Sequence, residues 1–199
     1  MTQYTHGNDS CLSIWADCYE SGLISFPPNA RVLEIGCAEA DWMTPMLALR
    51  PDLDIVGIDW RGCKRPGQVI KGDVLVQEFP DASFDCIVGI SSLEHIGLGH
   101  YEADPKDQLG DILVMNRILR WLKPGGWVYF DVPWNPAGFQ VAGTSHRTYD
   151  ADSLKRRMLP DGLVEMVRWY ADHAGRVRET LPPKALPAFD YVAVLAVKA

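Results

Sequence analysis

Short runs of β-branched and other apolar residues alternate with helical stretches along this chain, a pattern that predicts a parallel sheet covered by helices. Arg31–Ile35 (RVLEI) reads as a first strand, Asp54–Asp59 (DIVGID) as a second and Gln68–Lys71 as a short third. Residues 85–90 (DCIVGI) and 127–132 read as the fourth and fifth, and residues 163–171 and 189–198 alternate as two final strands. Helices are expected over residues 10–20, 44–50, 107–122 and 150–158. Thr44 then Pro45 has the look of an N-cap and first helical position, and Asp150 or Asp152 should sit near the cap of the last helix. The helix over 107–122 carries apolar Leu109, Ile112, Leu113, Ile118, Leu119 and Leu122 at helical spacing and stops at Lys123-Pro124-Gly125-Gly126. Residues 174–188, with Pro182, Pro183 and Pro187, form a long connection. A doubly wound sheet binds its ligand beyond the carboxyl ends of its strands, which singles out Glu34, Asp59, Ser91 and Asp131.

Composition narrows the function classes. The 199 residues, 47% apolar and 23% charged, are ordinary for a globular protein, and one domain over residues 1–199 is expected. No run approaches the ~20 apolar residues of a membrane span, and MTQYTHGNDS lacks the basic-then-apolar order of a signal peptide. Five widely spread cysteines without a C-x-x-C pair argue against disulfides or zinc and for a reducing cytoplasm. A net charge of −7 disfavours a nucleic-acid partner, since polyanion binding needs an excess of lysine and arginine. A homo-oligomer is left open.

The run Val32-Leu33-Glu34-Ile35-Gly36-Cys37-Ala38-Glu39-Ala40 is a strand, an acidic residue and a tight turn of small residues that lets backbone amides approach a ligand. About 20 residues on, Asp59 ends the second strand, where a carboxylate can accept both hydroxyls of a ribose. A dinucleotide would need G-x-G-x-x-G for its pyrophosphate, and Gly36-Cys37-Ala38-Glu39-Ala40 lacks it. Together with Gly57-Ile58-Asp59, Gly72-Asp73-Val74, Phe84-Asp85-Cys86-Ile87-Val88 and Leu122-Lys123-Pro124-Gly125-Gly126, this turn resembles the class I S-adenosylmethionine-dependent methyltransferases, with alanine at two of their motif glycines. The resemblance implies a single Rossmann-like α/β domain with a doubly wound, seven-stranded sheet, mostly parallel with an antiparallel last strand. Residues 1–29 would be a helical segment over the site and residues 30–199 the core. It also implies that Glu34 and the backbone of Gly36, Cys37 and Ala38 hold the methionine portion of S-adenosylmethionine. Asp59 would take the ribose, with Trp60 beside the adenine, Asp73 and the Val74 amide would meet the adenine edge, and the Ser91 backbone would lie near the sulfonium.

On the acceptor side the fourth strand ends Ser91-Ser92-Leu93-Glu94-His95-Ile96, with neither the Asp/Asn-Pro-Pro-aromatic clamp of amine methylation nor a Pro-Cys nucleophile. That points to a small-molecule acceptor methylated at oxygen. A hydroxyl is a poor nucleophile near neutral pH, so a base or a metal is expected. His95, His100 and His146 compete, and His146, placed between the fifth strand and a helix, is preferred as base. Glu94-His95 resembles the pair that helps hold a divalent cation in ubiquinone-pathway O-methyltransferases, although Ser91 stands where those enzymes have an acid. Magnesium would then use Glu94, His95 and Asp131, with Asp104, Asp107 or Asp111 as further oxygen donors. The segment from His95 to Asp111, with His146-Arg147-x-Tyr149, resembles bacterial sugar O-methyltransferases, which implies a saccharide acceptor with Tyr101, Trp134 and Trp15 as stacking surfaces. A quinone-like or phenolic acceptor, and a cofactor-binding protein without turnover, stay open as alternatives.

Overall fold

The computed structural model describes residues 6–38, 41–64, 66–99, 106–171, 177–178 and 190–199. Its elements run α1 (His6–Glu20), β1 (Arg31–Ile35), α2 (Met43–Leu49), β2 (Asp54–Asp59), β3 (Gln68–Lys71), β4 (Phe84–Gly89) and a 3-10 turn at Leu93–His95. They continue with α3 (Gly110–Trp121), β5 (Leu122–Pro133), β6 (Gln140–Ala142), β7 (His146–Thr148), α4 (Ala151–Met158), β8 (Leu163–Ala171), β9 (Val177–Arg178) and β10 (Tyr191–Lys198). The sheet order is β3-β2-β1-β4-β5-β10-β8-β9. Strands β1 to β5 are parallel, and β10 enters antiparallel between β5 and β8. The expected α/β sheet, mostly parallel with an antiparallel last strand, is the observed one; β9 adds two residues at its edge.

Period-two alternation divides the core between the two faces of the sheet. Leu33, Ile87, Val128, Phe130, Val132, Val192 and Val194 pack with Val114, Met115, Ile118 and Trp121 of α3. Val32, Cys86, Val88, Tyr129 and Ala193 pack on the other face with Ile14 and Trp15 of α1 and Met43 and Met46 of α2. A strand with apolar residues at every position is thereby buried on both sides. Register sets Glu34 beside Gly57 on one side and Val88 on the other, so the β1 carboxylate sits between the ends of β2 and β4.

Three local expectations change. Thr44 is not the N-cap of α2: the helix starts at Met43, and the Asp41 carboxylate accepts the Thr44 amide at 3.1 Å. In α3 the buried stripe is Val114, Met115, Ile118 and Trp121, whereas Leu109 and Leu113 are exposed, because a helix apolar on several sides does not announce which face meets the sheet. The orphan carbonyls of Arg120 and Trp121 at its end accept the amides of Ala82 and Ser83. The β6–β7 hairpin was not foreseen; three-residue strands carry too few alternations to register as strands. Asp150 does cap α4, in a capping box with Ser153. The connection over 174–188 lies, apart from β9, outside the described residues.

The hairpin is fastened through a buried cation. Arg147, fully buried, donates to the carbonyls of Glu94, Ile96, Asp107 and Gln108 at 2.7–3.3 Å. Its Nε lies 3.5 Å from Asp111, a buried carboxylate that also accepts Arg157 Nε at 2.7 Å and the Tyr149 hydroxyl at 2.9 Å. Asp111, raised above as a metal donor, is instead the counter-ion of this cluster. Asp111→Asn should therefore lower unfolding free energy by about 3 kcal/mol, the usual cost of leaving a buried charge without its partner. Urea denaturation followed by circular dichroism checks this; a loss below 1 kcal/mol contradicts the assignment.

Candidate active site

The reversal of strand order falls between β1 and β4, and the crevice beyond their carboxyl ends is where a ligand fits in such sheets. A cleft opens there, at the carboxyl ends of the strands. Gly36, Asp59, Trp60, Asp73, Val74 and Ser91, all anticipated, line it together with Arg61, Ser92, His95 and Ile96. Gly36 has φ +84°, and a Cβ there would collide with the Ser92 Cβ, so only glycine permits this turn. Glu34, Cys37 and Ala38 lie behind the lining. Glu34 is 2% exposed, and the Ala38 amide donates to Asp59 Oδ2 at 3.1 Å.

Asp59 is the junction of the two turns. Its carboxylate accepts the Ala38 amide on one oxygen and the Arg61 amide (2.8 Å) and Arg61 Nε (3.2 Å) on the other. Arg61 was missed by sequence reasoning, although its place two residues beyond an acidic strand end was a usable signal. Asp73 closes a local turn by accepting the Leu75 amide at 2.8 Å, and still lines the cleft.

Ser91, at φ +45°, is held in the left-handed region by Asp131: Asp131 Oδ1 accepts its amide at 3.0 Å and lies 3.1 Å from its hydroxyl. The hydroxyl is also 3.1 Å from Cys11 Sγ of α1. Asp131 is fully buried, and burial above all, with the nearby Glu94 charge, pushes its carboxyl up to about 7, against hydrogen bonds from Cys11 and Ser91.

The histidines separate. His95 lines the cleft; its Nδ1 meets the Ser145 carbonyl and its Nε2 lies 3.5 Å from Glu94 Oε1. His146 sits behind it, rings 6.3 Å apart, with its Nδ1 3.0 Å from the Ser145 hydroxyl. His100, Tyr101 and Asp104 lie outside the described residues. Two aromatic expectations are corrected. Trp134 is buried and edge-on to Tyr170 at 4.9 Å, and Trp15 is buried among Phe26, Trp42, Trp127 and Tyr129, so neither offers a face to a sugar. Among the described residues no group of three His, Cys, Asp or Glu side chains could hold a metal. Glu94, His95 and Asp131 thus do not gather into the expected magnesium shell: Asp131 Oδ1 is taken by Ser91, and Asp107 Oδ1 accepts the Leu109 amide at 2.8 Å.

A methyltransferase-domain profile matches residues 21–186. No curated protein matches the sequence at a significant level. Among solved structures, the chain is similar to 1,6-didemethyltoxoflavin-N1-methyltransferase of Burkholderia thailandensis, bound to 1,6-didemethyltoxoflavin and S-adenosylhomocysteine (14% identity, TM-score 0.66, covering 100% of this chain and 80% of that one). It is also similar to an S-adenosylmethionine-dependent methyltransferase of Methanosarcina mazei (14%, 0.61, 87% and 94%) and to the [4+2]-cyclase SpnF (19%, 0.61, 95% and 81%). At these identities the likeness shows the fold alone, and the cyclase shows that one fold hosts more than one reaction.

Asp131 gives the site a pH signature. The folded state keeps a proton that the unfolded chain releases from the ordinary carboxyl value of 3.8 upward, so this contribution to stability is full at low pH and is lost as pH rises to about 7. Asp131→Asn, which does not titrate, should gain about 2 kcal/mol on the wild type between pH 5 and pH 8. Urea midpoints at the two pH values measure it, and an equal difference at both denies the buried proton.

Proposed function

We propose, from the premise that this chain belongs to the methyltransferase-domain family and is an S-adenosylmethionine-dependent methyltransferase, that it methylates a hydroxyl of a small molecule, a sugar or oligosaccharide. The strand-end residues fit the donor: a glycine turn that a Cβ would block, a carboxylate at the end of β2 and a cleft lined by both. In this reading Glu34 and the backbone of Gly36, Cys37 and Ala38 hold the methionine portion, and Asp59 holds the ribose. Trp60, Asp73 and Val74 surround the adenine, and the Ser91 backbone lies near the sulfur. S-adenosylmethionine supplies a methyl group already activated on a sulfonium, which leaves the protein positioning and proton removal.

The observation that carries the hydroxyl reading is His95 in the cleft. A carbonyl only accepts, so His95 Nδ1, against Ser145 O, carries a hydrogen, and in this reading Nε2, beside Glu94, is the nitrogen that takes up the acceptor's proton. Glu94 beside Nε2 stabilises the imidazolium once the acceptor's proton arrives. The base role preferred above for His146 passes to His95, and His146 helps hold the Ser145 turn that orients it. The magnesium expectation has no support in the donor geometry.

His95→Gln should reduce turnover by ~10²–10⁴-fold, the usual worth of a positioned base, while S-adenosylhomocysteine affinity by calorimetry stays within a few-fold. His146→Gln should lose less; the reverse order of effects returns the role to His146. The acceptor class is tested with labelled donor and a panel of sugars, phenols and nitrogen heterocycles. Label on a sugar hydroxyl supports the reading, label on a phenol moves it to the quinone-like class, and cofactor binding with no transfer moves it to a non-catalytic binder.

A further inference from the structure

Cys37 and Cys63, 26 residues apart, meet with their sulfurs 3.2 Å from each other, about 1 Å beyond bonding distance. Neither forms a disulfide. Cys37 is the residue after Gly36 in the turn that follows β1, and it is buried. Its sulfur lies over Gly57 of β2, where a Cβ would come within 2.9 Å of it, so a glycine makes its room. Cys63 is half-buried on the loop that follows β2 and carries Trp60 and Arg61 into the cleft. The two thiols therefore join the two turns whose other link is the Asp59 carboxylate.

We infer that this pair is an oxidation site: a hydroperoxide converts it to a disulfide that ties the turn after β1 to the loop after β2 and restricts the cleft. Burial holds the Cys37 thiol well above its ordinary range, so the first attack falls to the more exposed Cys63. Cys63, as thiolate, attacks a peroxide oxygen; the S–O bond forms, the O–O bond breaks and, with hydrogen peroxide, hydroxide leaves and takes up the released thiol proton as water. Cys37 then attacks the sulfenic sulfur; the S–S bond forms, the S–O bond breaks, and a second water departs with the Cys37 proton. Two thiols are oxidised by two electrons and one peroxide is reduced to water.

The effect on the cleft rests on the cofactor reading above, whereas bond formation does not. Arg61 lies on Asp59, and a ribose can take that carboxylate only if the arginine moves aside. A bond at Cys63, two residues along, holds the loop against the turn and keeps Arg61 in place.

The test treats the reduced full chain with hydrogen peroxide, blocks remaining thiols with N-ethylmaleimide and maps peptides by mass spectrometry, with S-adenosylhomocysteine titrated before oxidation, after it and after dithiothreitol. The expected result is a Cys37–Cys63 cross-linked peptide lighter by two hydrogens, and affinity weakened by about tenfold, as when one molecule in ten keeps a competent cleft, then restored by dithiothreitol. Cys63→Ser should keep the reduced-state affinity and lose the response to peroxide. Cys63 recovered as sulfinic acid with no cross-link overturns the site; a cross-link with unchanged affinity overturns its hold on the cleft. If the reduced chain binds no S-adenosylhomocysteine, the cofactor reading falls, and the peptide map alone decides the disulfide.

Discussion

The β6–β7 hairpin and the segment carrying Glu94 and His95 hang on one buried guanidinium. Arg147 has no exposed surface and would be costly to bury without partners, yet four backbone carbonyls and Asp111 surround it. Those carbonyls come from the segment that carries Glu94 and His95 and from the loop that leads into α3. By accepting one cation they fix the β6–β7 hairpin against both. The Ser145 carbonyl is thereby placed against His95 Nδ1, and the other ring nitrogen is left toward Glu94. A buried charge, local to one arginine, thus orients a histidine of the cleft many residues away.

The strand-end side of the cleft depends on the sheet. Parallel pairing of β1 with β2 and β4 puts three strand ends side by side, and backbone there has no further ladder partners to satisfy it. Side chains take over: Asp59 accepts from Ala38 and Arg61, Asp131 from Ser91, and Ser92 donates to the Ile35 carbonyl at 2.8 Å. The hydrogen bonds that finish the sheet also shape the cleft. Ser91 shows the coupling most directly, since its left-handed backbone persists because a buried carboxylate at the end of β5 holds it.

Strand positions were legible because a buried parallel strand leaves a dense local mark, and β1, β2, β3 and β8 fall where the residues predict them. The strand-end lining of the cleft was legible for a related reason: Gly36, Asp59 and Asp73 are set by turn chemistry close in sequence. The surroundings of His95 and His146 were less so. In one dimension its place between the fifth strand and a helix favours His146, whereas the hairpin's docking leaves His95 lining the cleft. Trp134 and Trp15 were misplaced because an aromatic side chain carries no sign of whether it faces a ligand or the core. The exposed Leu109 and Leu113 follow the same logic on α3, whose inward face is chosen by the sheet it meets.

By itself, then, the sequence determined the alternation of strands and helices, the glycine turn and the carboxylates at the strand ends, since each is encoded by neighbours within a few residues. Only the tertiary structure decided which histidine faces the cleft, that Asp111 answers a buried arginine and not a metal, and that Cys37 and Cys63 touch. Those outcomes depend on segments 26 to 53 residues apart being pressed together, and on the cost of burying charge without a partner. No local pattern of residue types records either.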